Sequence, residues 1–172
     1  MTSLPTVRPV RDAIRPMPSV TAAPYNSSDA RRLAQALRAE QLGLYGFADD
    51  PDITPATDFD PPQGLFLIVR VGEEAVGCGG IRLLDEHTAE IKRMYVTDEA
   101  RQRGIGRYLL EHLEQHALSR TASRIVLETG RRNTAALALY QRAGYRLCPS
   151  YVPGRDQDIN RAMTKPLGSS SP

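Results

Sequence analysis

The middle of the chain alternates between short apolar runs and turns. The apolar run 65–71 (LFLIVRV) is followed by a turn at 72–74 and by a second run at 75–84. After another turn at 85–87, a third run covers 88–96. Runs of this length, bounded by glycine and acidic turn residues, are typical of β-strands. The pattern therefore predicts a hairpin that continues into a three-stranded meander.

Beyond this meander the apolar spacing becomes helical. Ile105, Leu109, Leu113 and Ala117 fall on one face of a helix predicted over 104–119. The other predicted elements are a strand at 19–23, a helix after Ser27 and Ser28, a proline- and aspartate-rich loop at 48–63, a strand at 124–129, a helix at 133–143 and strands at 145–147 and 159–165. This order predicts a mixed α/β domain of the α+β type, with helices packed on a sheet.

The two ends of the chain lack these periods. Residues 1–18 contain four prolines and are expected to form a flexible tail, 19–167 a single domain, and 168–172 a disordered tail. The net charge of +2 disfavours nucleic acid as a partner, and no apolar run is long enough to span a membrane. Without a recognisable targeting segment, we expect a cytoplasmic protein. Cys78 and Cys148 lack metal-ligand spacing, so no metal is expected.

A glycine-containing loop is the most informative stretch of the chain. It joins the third strand to the long helix and consists of Arg101, Gln102, Arg103, Gly104, Ile105, Gly106 and Arg107. The first N–H groups of a helix are unpaired and partly positive, so they attract phosphate. The two glycines allow close approach to the backbone, and the arginines add charge. The loop therefore predicts a pyrophosphate site; a tight turn without a ligand is the alternative. Leu109 stands where a dinucleotide fingerprint has its third glycine.

The predicted helix at 133–143 carries a second set of candidate residues. Asn133 is a natural N-cap at its start. Ala136, Leu139, Tyr140 and Ala143 follow the helical period and form its apolar face. The Tyr140 ring is therefore expected to point toward the sheet, where its hydroxyl needs a hydrogen-bond partner.

Together, these segments resemble the GNAT acyltransferases. RQRGIG matches the family signature Q/R-x-x-G-x-G/A, the strand EIKRMYV precedes it, and the segment N-x-x-A-x-x-x-Y-x-x-x-G-Y follows it in the family's order. The resemblance covers residues 64–147. It implies a central, mostly antiparallel, splayed β-sheet flanked by helices, with acetyl-CoA as cosubstrate.

The resemblance also implies individual roles. Backbone amides of 101–107 would hold the pyrophosphate of coenzyme A. The main chain of Met94, Tyr95 and Val96, on a strand that splays from the next one at a bulge, would pair with the pantetheine arm, and one amide there would polarise the thioester carbonyl. Tyr140 would act as general acid to the departing thiolate, and Asn133 would contact the cofactor arm.

The general base is the most open assignment. Glu90 lies eleven residues before Arg101, a spacing similar to that of the catalytic glutamate in the histone acetyltransferase branch. Partial burial on a central strand would raise its pKa toward a useful value. Alternatively, Glu90 forms a structural ion pair with Lys92 or Arg82, and Glu128 or a water chain serves as the base.

The expected reaction is direct acetyl transfer to a primary amine of a small molecule. The alternatives are acetylation of a lysine or N-terminus of a protein or peptide, and a non-catalytic acetyl-CoA-binding regulator. The aspartate-rich loop at 49–60 is either solvated or rims the acceptor site. No membrane partner is expected, and the protein is expected to be a monomer or a homodimer.

Overall fold

The computed structural model describes residues 16–168. The predictions for 1–15 and 169–172 lie outside these residues. Within the described range, the helices and strands are β1 Pro18–Ala22, α1 Ser28–Tyr45, β2 Gly64–Val71, β3 Glu74–Leu83, β4 Thr88–Val96, α2 Ile105–Ser119, β5 Arg124–Gly130, α3 Thr134–Arg142, β6 Arg146–Cys148 and β7 Asn160–Pro166.

The strands form one sheet in the order β1-β2-β3-β4-β5-β7-β6. Among these strands β4 and β5 pair in parallel, and every other neighbouring pair is antiparallel. The predicted mixed α+β class and mostly antiparallel sheet are thereby confirmed, with element ends one or two residues from the predicted ones. The loop predicted at 48–63 differs, because it contains two short 3₁₀ turns, Pro51–Ile53 and Ala56–Phe59. Proline suits the first position of such a turn, and the Asp50 carboxylate accepts the Asp52 N–H at 2.9 Å.

Apolar side chains cover both faces of the sheet. One face packs against α2 and α3, with Leu109 and Leu113 fully buried. The other face packs against α1 and the 3₁₀ turns, with Leu33 and Phe66 fully buried. A Cβ atom at Gly80 would lie 2.4 Å from the Phe59 ring, so only glycine lets this ring rest on β3. The ring anchors the proline- and aspartate-rich loop to the sheet.

The centre of the sheet is split. The pairing between β4 and β5 ends at Ile91 and Leu127, although both strands continue. Beyond this point β4 stays paired with β3 and β5 with β7. Among residues 16–168, no strand pairs with the β5-facing edge of the last five residues of β4, Lys92–Val96.

A bulge in β4 lies at the start of this split. Lys92 faces Gly80 on β3 and Tyr95 faces Cys78, so β4 uses one residue more than β3 over this stretch. Arg93 has a left-handed φ of 60°, which is uncommon for a residue other than glycine. The bulge bends β4 away from β5 and opens the gap between them.

Candidate active site

The unpaired edge of β4 presents backbone donors to the gap. The Thr97 N–H donates to the Val76 carbonyl on β3 at 2.9 Å. Because alternate residues of a strand point their N–H groups to opposite edges, the Met94 and Val96 N–H groups face the gap between β4 and β5. Met94, Tyr95 and Val96 thus lie where the strands separate.

The glycine loop supplies a second group of free donors. Gln102 and Gly104 have φ values of 58° and 78°, and Gly104 caps α2 without a side-chain hydrogen bond. Within residues 16–168, no acceptor takes the N–H groups of 102–107. A Cβ atom at Gly104 would meet nothing within 4 Å, so the space in front of these donors is open. An anion such as pyrophosphate fits this arrangement.

The other glycine of the loop serves packing. A Cβ atom at Gly106 would lie 3.2 Å from Leu139 Cδ2 and 3.9 Å from Val96 Cγ2. Glycine therefore lets the start of α2 approach both α3 and the end of β4. This contact brings the three segments singled out in the sequence to one place.

The Arg101 side chain turns inward rather than toward the loop's donors. Its Nε donates to the Val96 carbonyl at 2.9 Å, and its guanidinium forms ion pairs with Glu40 and Asp98. It also lies over the Tyr95 ring, 5.6 Å from its centroid. Burial opposes the charge of Arg101, but Glu40 and Asp98 together outweigh burial and raise the pKa of this arginine. The Arg101 N–H donates to the Asp98 carbonyl at 3.3 Å, so the guanidinium and the N–H of Arg101 both have partners within the protein, unlike the predicted binding role.

The other two arginines of the loop point outward. Arg107 donates to Glu111 one turn along α2 at 2.8 Å. Arg103 is exposed and forms no ion pair with the residues that the structure describes. The side chain of Arg103 is therefore the more available to meet an anion at the loop.

Helix α3 holds Tyr140 and Asn133 beside this loop. Tyr140 is 5% exposed and packs edge-on against Tyr145, with ring centroids 5.7 Å apart. Burial raises the pKa of Tyr140, so its phenol stays protonated at neutral pH. In the described part of the chain its hydroxyl has no hydrogen-bond partner, unlike the prediction. The Asn133 Oδ1 accepts the Ala136 N–H at 3.1 Å, which confirms the predicted N-cap.

Glu90 lies on the opposite face of the sheet, toward α1, and is 2% exposed. Its Oε2 accepts from the Arg82 guanidinium at 2.8 Å, and its Oε1 lies 3.4 Å from the Lys92 ammonium. Both ion pairs that the sequence offered as alternatives are present. Arg82 also pairs with Asp58 in the proline- and aspartate-rich loop. Oε1 accepts a further hydrogen bond, at 2.9 Å, from Tyr151.

Tyr151 belongs to a segment that the sequence did not single out, the start of the β6–β7 connection at 149–155. Ser150 in this segment donates to Glu128 at 2.9 Å. Arg155 donates to Asp49 at 2.6 Å, and its Nε lies 3.2 Å from Glu128. Burial, followed by the charge of Glu90, raises the pKa of Tyr151. The only sequence signal for this segment was an aromatic residue between prolines in PSYVPGR.

Comparison with known proteins agrees with this geometry. The chain matches the acetyltransferase (GNAT) family over residues 30–145. It belongs to the GNAT family. It is 36% identical to an IAA acetyltransferase of Azospirillum brasilense over 62% of this chain and 70% of the relative. It is 33% identical to an uncharacterised N-acetyltransferase of Escherichia coli (strain K12), over 77% of this chain and 87% of that one.

Solved GNAT structures share the fold. A Klebsiella pneumoniae protein described as an acyl-CoA N-acyltransferase superposes with a TM-score of 0.77 at 33% identity, over 88% of this chain and 99% of that one. A GNAT acetyltransferase from Elizabethkingia anophelis, solved with acetyl-CoA bound, superposes with a TM-score of 0.62 at 20% identity, over 87% and 98%. The confirmed splayed sheet is the one that the family resemblance implied.

The aspartates of this GNAT chain's long loop are largely used within the protein. Four of these aspartates contact a nearby cation or a backbone N–H group: Asp49, Asp50, Asp52 and Asp58. A hydrogen bond from Arg155 lowers the pKa of Asp49. These contacts favour a structural role over a free acidic rim.

Helix α1 crosses the open end of the split sheet. On the β4 side, Glu40 pairs with Arg101. On the β5 side, the Tyr45 hydroxyl accepts the Arg132 N–H at 3.2 Å, and the Arg132 guanidinium donates to the Leu44 carbonyl. A Cβ atom at Gly130 would lie 1.9 Å from the Tyr45 hydroxyl, so glycine at the end of β5 is required for this contact. One helix thus joins both sides of the gap.

Two features are absent from residues 16–168. No group of three or more His, Cys, Asp or Glu side chains there is arranged to hold a metal ion. None of the helices in this range is both long and apolar enough to cross a bilayer.

Proposed function

We propose that this GNAT protein is an acetyl-CoA-dependent N-acetyltransferase that acts on a primary amine of a small molecule. One observation carries the proposal: in the part of the chain that the structure describes, the Met94 and Val96 N–H groups lie on an unpaired strand edge, beside a loop whose six N–H groups at 102–107 have no acceptor. An extended amide-containing arm with a pyrophosphate at its end needs such an edge and such a loop. The acetyl-CoA bound to a neighbour of the same fold supports this cosubstrate.

Bound acetyl-CoA would supply the activated acetyl group. The N–H groups of 102–107 and the Arg103 guanidinium would bind its pyrophosphate, while Met94 and Val96 would donate to the pantetheine arm and thioester. The Asn133 oxygen is occupied by its capping bond, so its amide nitrogen is the group left to contact the arm. These roles agree with those that the family resemblance implies.

Proton transfers complete the proposed mechanism. Tyr140 keeps its proton because burial raises its pKa, so it can donate to the departing thiolate. Glu90 is the proposed base for the acceptor amine. Its Oε2 is held by Arg82 at 2.8 Å, while its Oε1 accepts from Tyr151 at 2.9 Å and lies 3.4 Å from Lys92, so the acceptor amine would have to displace one of these partners. Glu128, on the adjacent strand, stays the alternative base, as does a water chain.

Coverage of the acceptor side favours a small molecule. Arg155 links the β6–β7 connection to Asp49 in the long loop, across the face on which Glu90 and Glu128 lie. Beside it lies a cavity of about 330 Å³, lined in part by Ser150 and Arg155 but by neither Glu90 nor Glu128. A small acceptor fits an enclosed site, whereas a peptide acceptor needs an open groove. A cytoplasmic location and a monomeric or homodimeric state stay predictions.

Calorimetry with acetyl-CoA tests the proposal. The wild type is expected to bind, and Gly104→Glu is expected to lose at least tenfold in affinity, about 1.4 kcal/mol, because a carboxylate then fills the anion site. Gly72→Glu is the matched control, because Gly72 lies in the β2–β3 turn and also has a positive φ, of 62°. A Cβ atom there would have no contact closer than 3.7 Å, so this variant is expected to bind acetyl-CoA like the wild type. A folded wild type that binds no acetyl-CoA would refute the proposal.

An acceptor screen then separates the substrate classes. Release of the CoA thiol is measured with panels of small primary amines and of short peptides. Turnover of small amines supports the proposal, whereas turnover of peptides alone supports the protein-acetylating alternative. Binding of acetyl-CoA without turnover of either panel favours the regulator.

A further inference from the structure

Arg93 combines an uncommon backbone conformation with a central position in the site. It has a φ of 60° in the β4 bulge, next to the Met94 N–H that faces the gap. A left-handed conformation is unfavourable for a residue with a Cβ atom, so surrounding contacts must hold it. Glycine would adopt this conformation without cost. The presence of arginine indicates that its side chain contributes something that glycine lacks.

The Arg93 side chain forms hydrogen bonds with the long loop. Its Nη2 donates to the carbonyls of Asp50 and Pro51, each at 3.2 Å, and lies 3.5 Å from the Thr54 hydroxyl. On the main chain, the Arg93 carbonyl accepts from the Cys78 thiol at 3.4 Å. One residue thus connects the bulge with the loop over the acceptor face.

The contacts of Arg93 affect the direction of the neighbouring Met94 N–H. The edge of β4 beyond the bulge has no partner strand toward β5, so β5 does not fix the direction of the Met94 N–H. The pairing with β3 holds only the other edge of the strand. The guanidinium contact with 50–54 supplies a second fixed point for the bulge, on the face of the sheet that packs against α1.

We propose that Arg93 is a positioning residue for acetyl transfer, because its contact with the 50–54 loop holds the bulge so that the Met94 N–H points into the gap. The proposal rests on the proposed function. It links the acceptor side to the donor that polarises the acetyl carbonyl: displacement of the loop changes the aim of that donor. A residue that only anchored the loop would have no such effect.

A comparison of acetyl-CoA with CoA tests this role, because only acetyl-CoA has the carbonyl that Met94 would meet. Dissociation constants for both are measured by calorimetry. Arg93→Gly removes the guanidinium while the left-handed backbone stays accessible. Its preference for acetyl-CoA over CoA is expected to fall about fivefold relative to wild type, the equivalent of one hydrogen bond of ~1 kcal/mol.

Tyr25→Phe is the matched control. The Tyr25 hydroxyl donates to the same Pro51 carbonyl at 2.9 Å and lies beside the Arg93 guanidinium, but phenylalanine at this position leaves the hydrogen bonds from Arg93 to Asp50 and Pro51 in place. Its loss is expected to leave the preference for acetyl-CoA within twofold of wild type. Hydrogen exchange gives a readout without ligand: Arg93→Gly should speed exchange in both 50–54 and 92–96, and Tyr25→Phe only in 50–54.

Four results overturn the proposal or its basis. An unchanged preference in Arg93→Gly, or an equal loss in Tyr25→Phe, refutes the positioning role while wild-type binding still supports the proposed function. A wild type that binds neither compound refutes the proposed function itself. Arg93→Lys provides the same test if the glycine variant does not fold, because it keeps the charge and loses the planar fork. Its preference for acetyl-CoA should also fall, and an unchanged one refutes the role.

Discussion

Replacement of Glu90 by glutamine tests the charged network around this carboxylate, on the face of the sheet that packs against α1. The Glu90 side chain is 3% exposed and meets three donors, from Arg82, Lys92 and Tyr151. Glutamine has almost the same shape, but it has no charge and only one acceptor oxygen. The Tyr151 hydroxyl can reverse its hydrogen bond and accept from the new amide. Lys92 can only donate, so it loses its partner.

The magnitude follows from the surroundings of these cations. Removal of one partner from a fully buried ion pair costs about 3–5 kcal/mol. The side chains of Arg82 and Lys92 are 27% and 22% exposed, so water recovers part of the loss, and Arg82 keeps Asp58. We therefore expect Glu90→Gln to lower the free energy of unfolding by about 2 kcal/mol. For a chain of this size that corresponds to a fall of about 4–8 °C in Tm.

Urea unfolding followed by circular dichroism measures this change. Glu111→Gln is the control, because the same substitution in an exposed pair with Arg107 should cost less than ~0.5 kcal/mol. If Glu90 is also the base, transfer falls at least ~100-fold while acetyl-CoA affinity is unchanged. A Glu90→Gln variant as stable as the control would refute the reasoning about the network. A stable, inactive variant would leave Glu90 as the base without a structural role.

Three more measurements check the described core. Leu113→Ala, at a fully buried position on α2, should cost about 2–5 kcal/mol in urea unfolding, and a loss under 1 kcal/mol would contradict its placement. Because burial raises the pKa of Tyr140 above the value of about 10 in an unfolded chain, stability should fall as pH rises beyond 10; Tyr140→Phe should reduce that slope by about 1.4 kcal/mol per pH unit. Burial raises the pKa of Cys78 to about 12, so a thiol reagent should reach Cys148 but not Cys78 until the protein unfolds. Equal reaction of both thiols in the native protein would disprove that burial.

Features with a local cause were predictable from the sequence. The spacing of apolar residues predicted the meander, α2 and α3, because the apolar residues that form the buried face of each element recur within that element's own segment. Asn133 was recognised as a cap for the same reason. The two cation partners of Glu90 were foreseen as alternatives, since Lys92 is two residues away on the same strand and Arg82 lies on its hairpin partner.

Features that depend on register or distant contacts were not predictable in detail. The resemblance to the family implied a bulge, but the left-handed residue, Arg93, depends on how β4 aligns with β3 rather than on β4 alone. The contact between Tyr151 and Glu90 joins residues 61 positions apart through an irregular segment. Neither periodicity nor motif spacing carries information about such a pair. The inward turn of Arg101 was missed because its partner Glu40 lies on a helix far away in sequence.

The helix that joins both sides of the split acts as a spacer of fixed length. Its attachment points, Glu40 on the β4 side and Tyr45 on the β5 side, are five positions apart. At 1.5 Å per residue the two attachment points are separated by about 7.5 Å along the helix axis. A helix keeps this distance fixed, whereas a loop of the same length would let it vary. An inserted residue between them would turn one attachment by about 100° and detach it. The width of the split between β4 and β5 is therefore set by α1, a helix that lies far in sequence from the two strands that form the split.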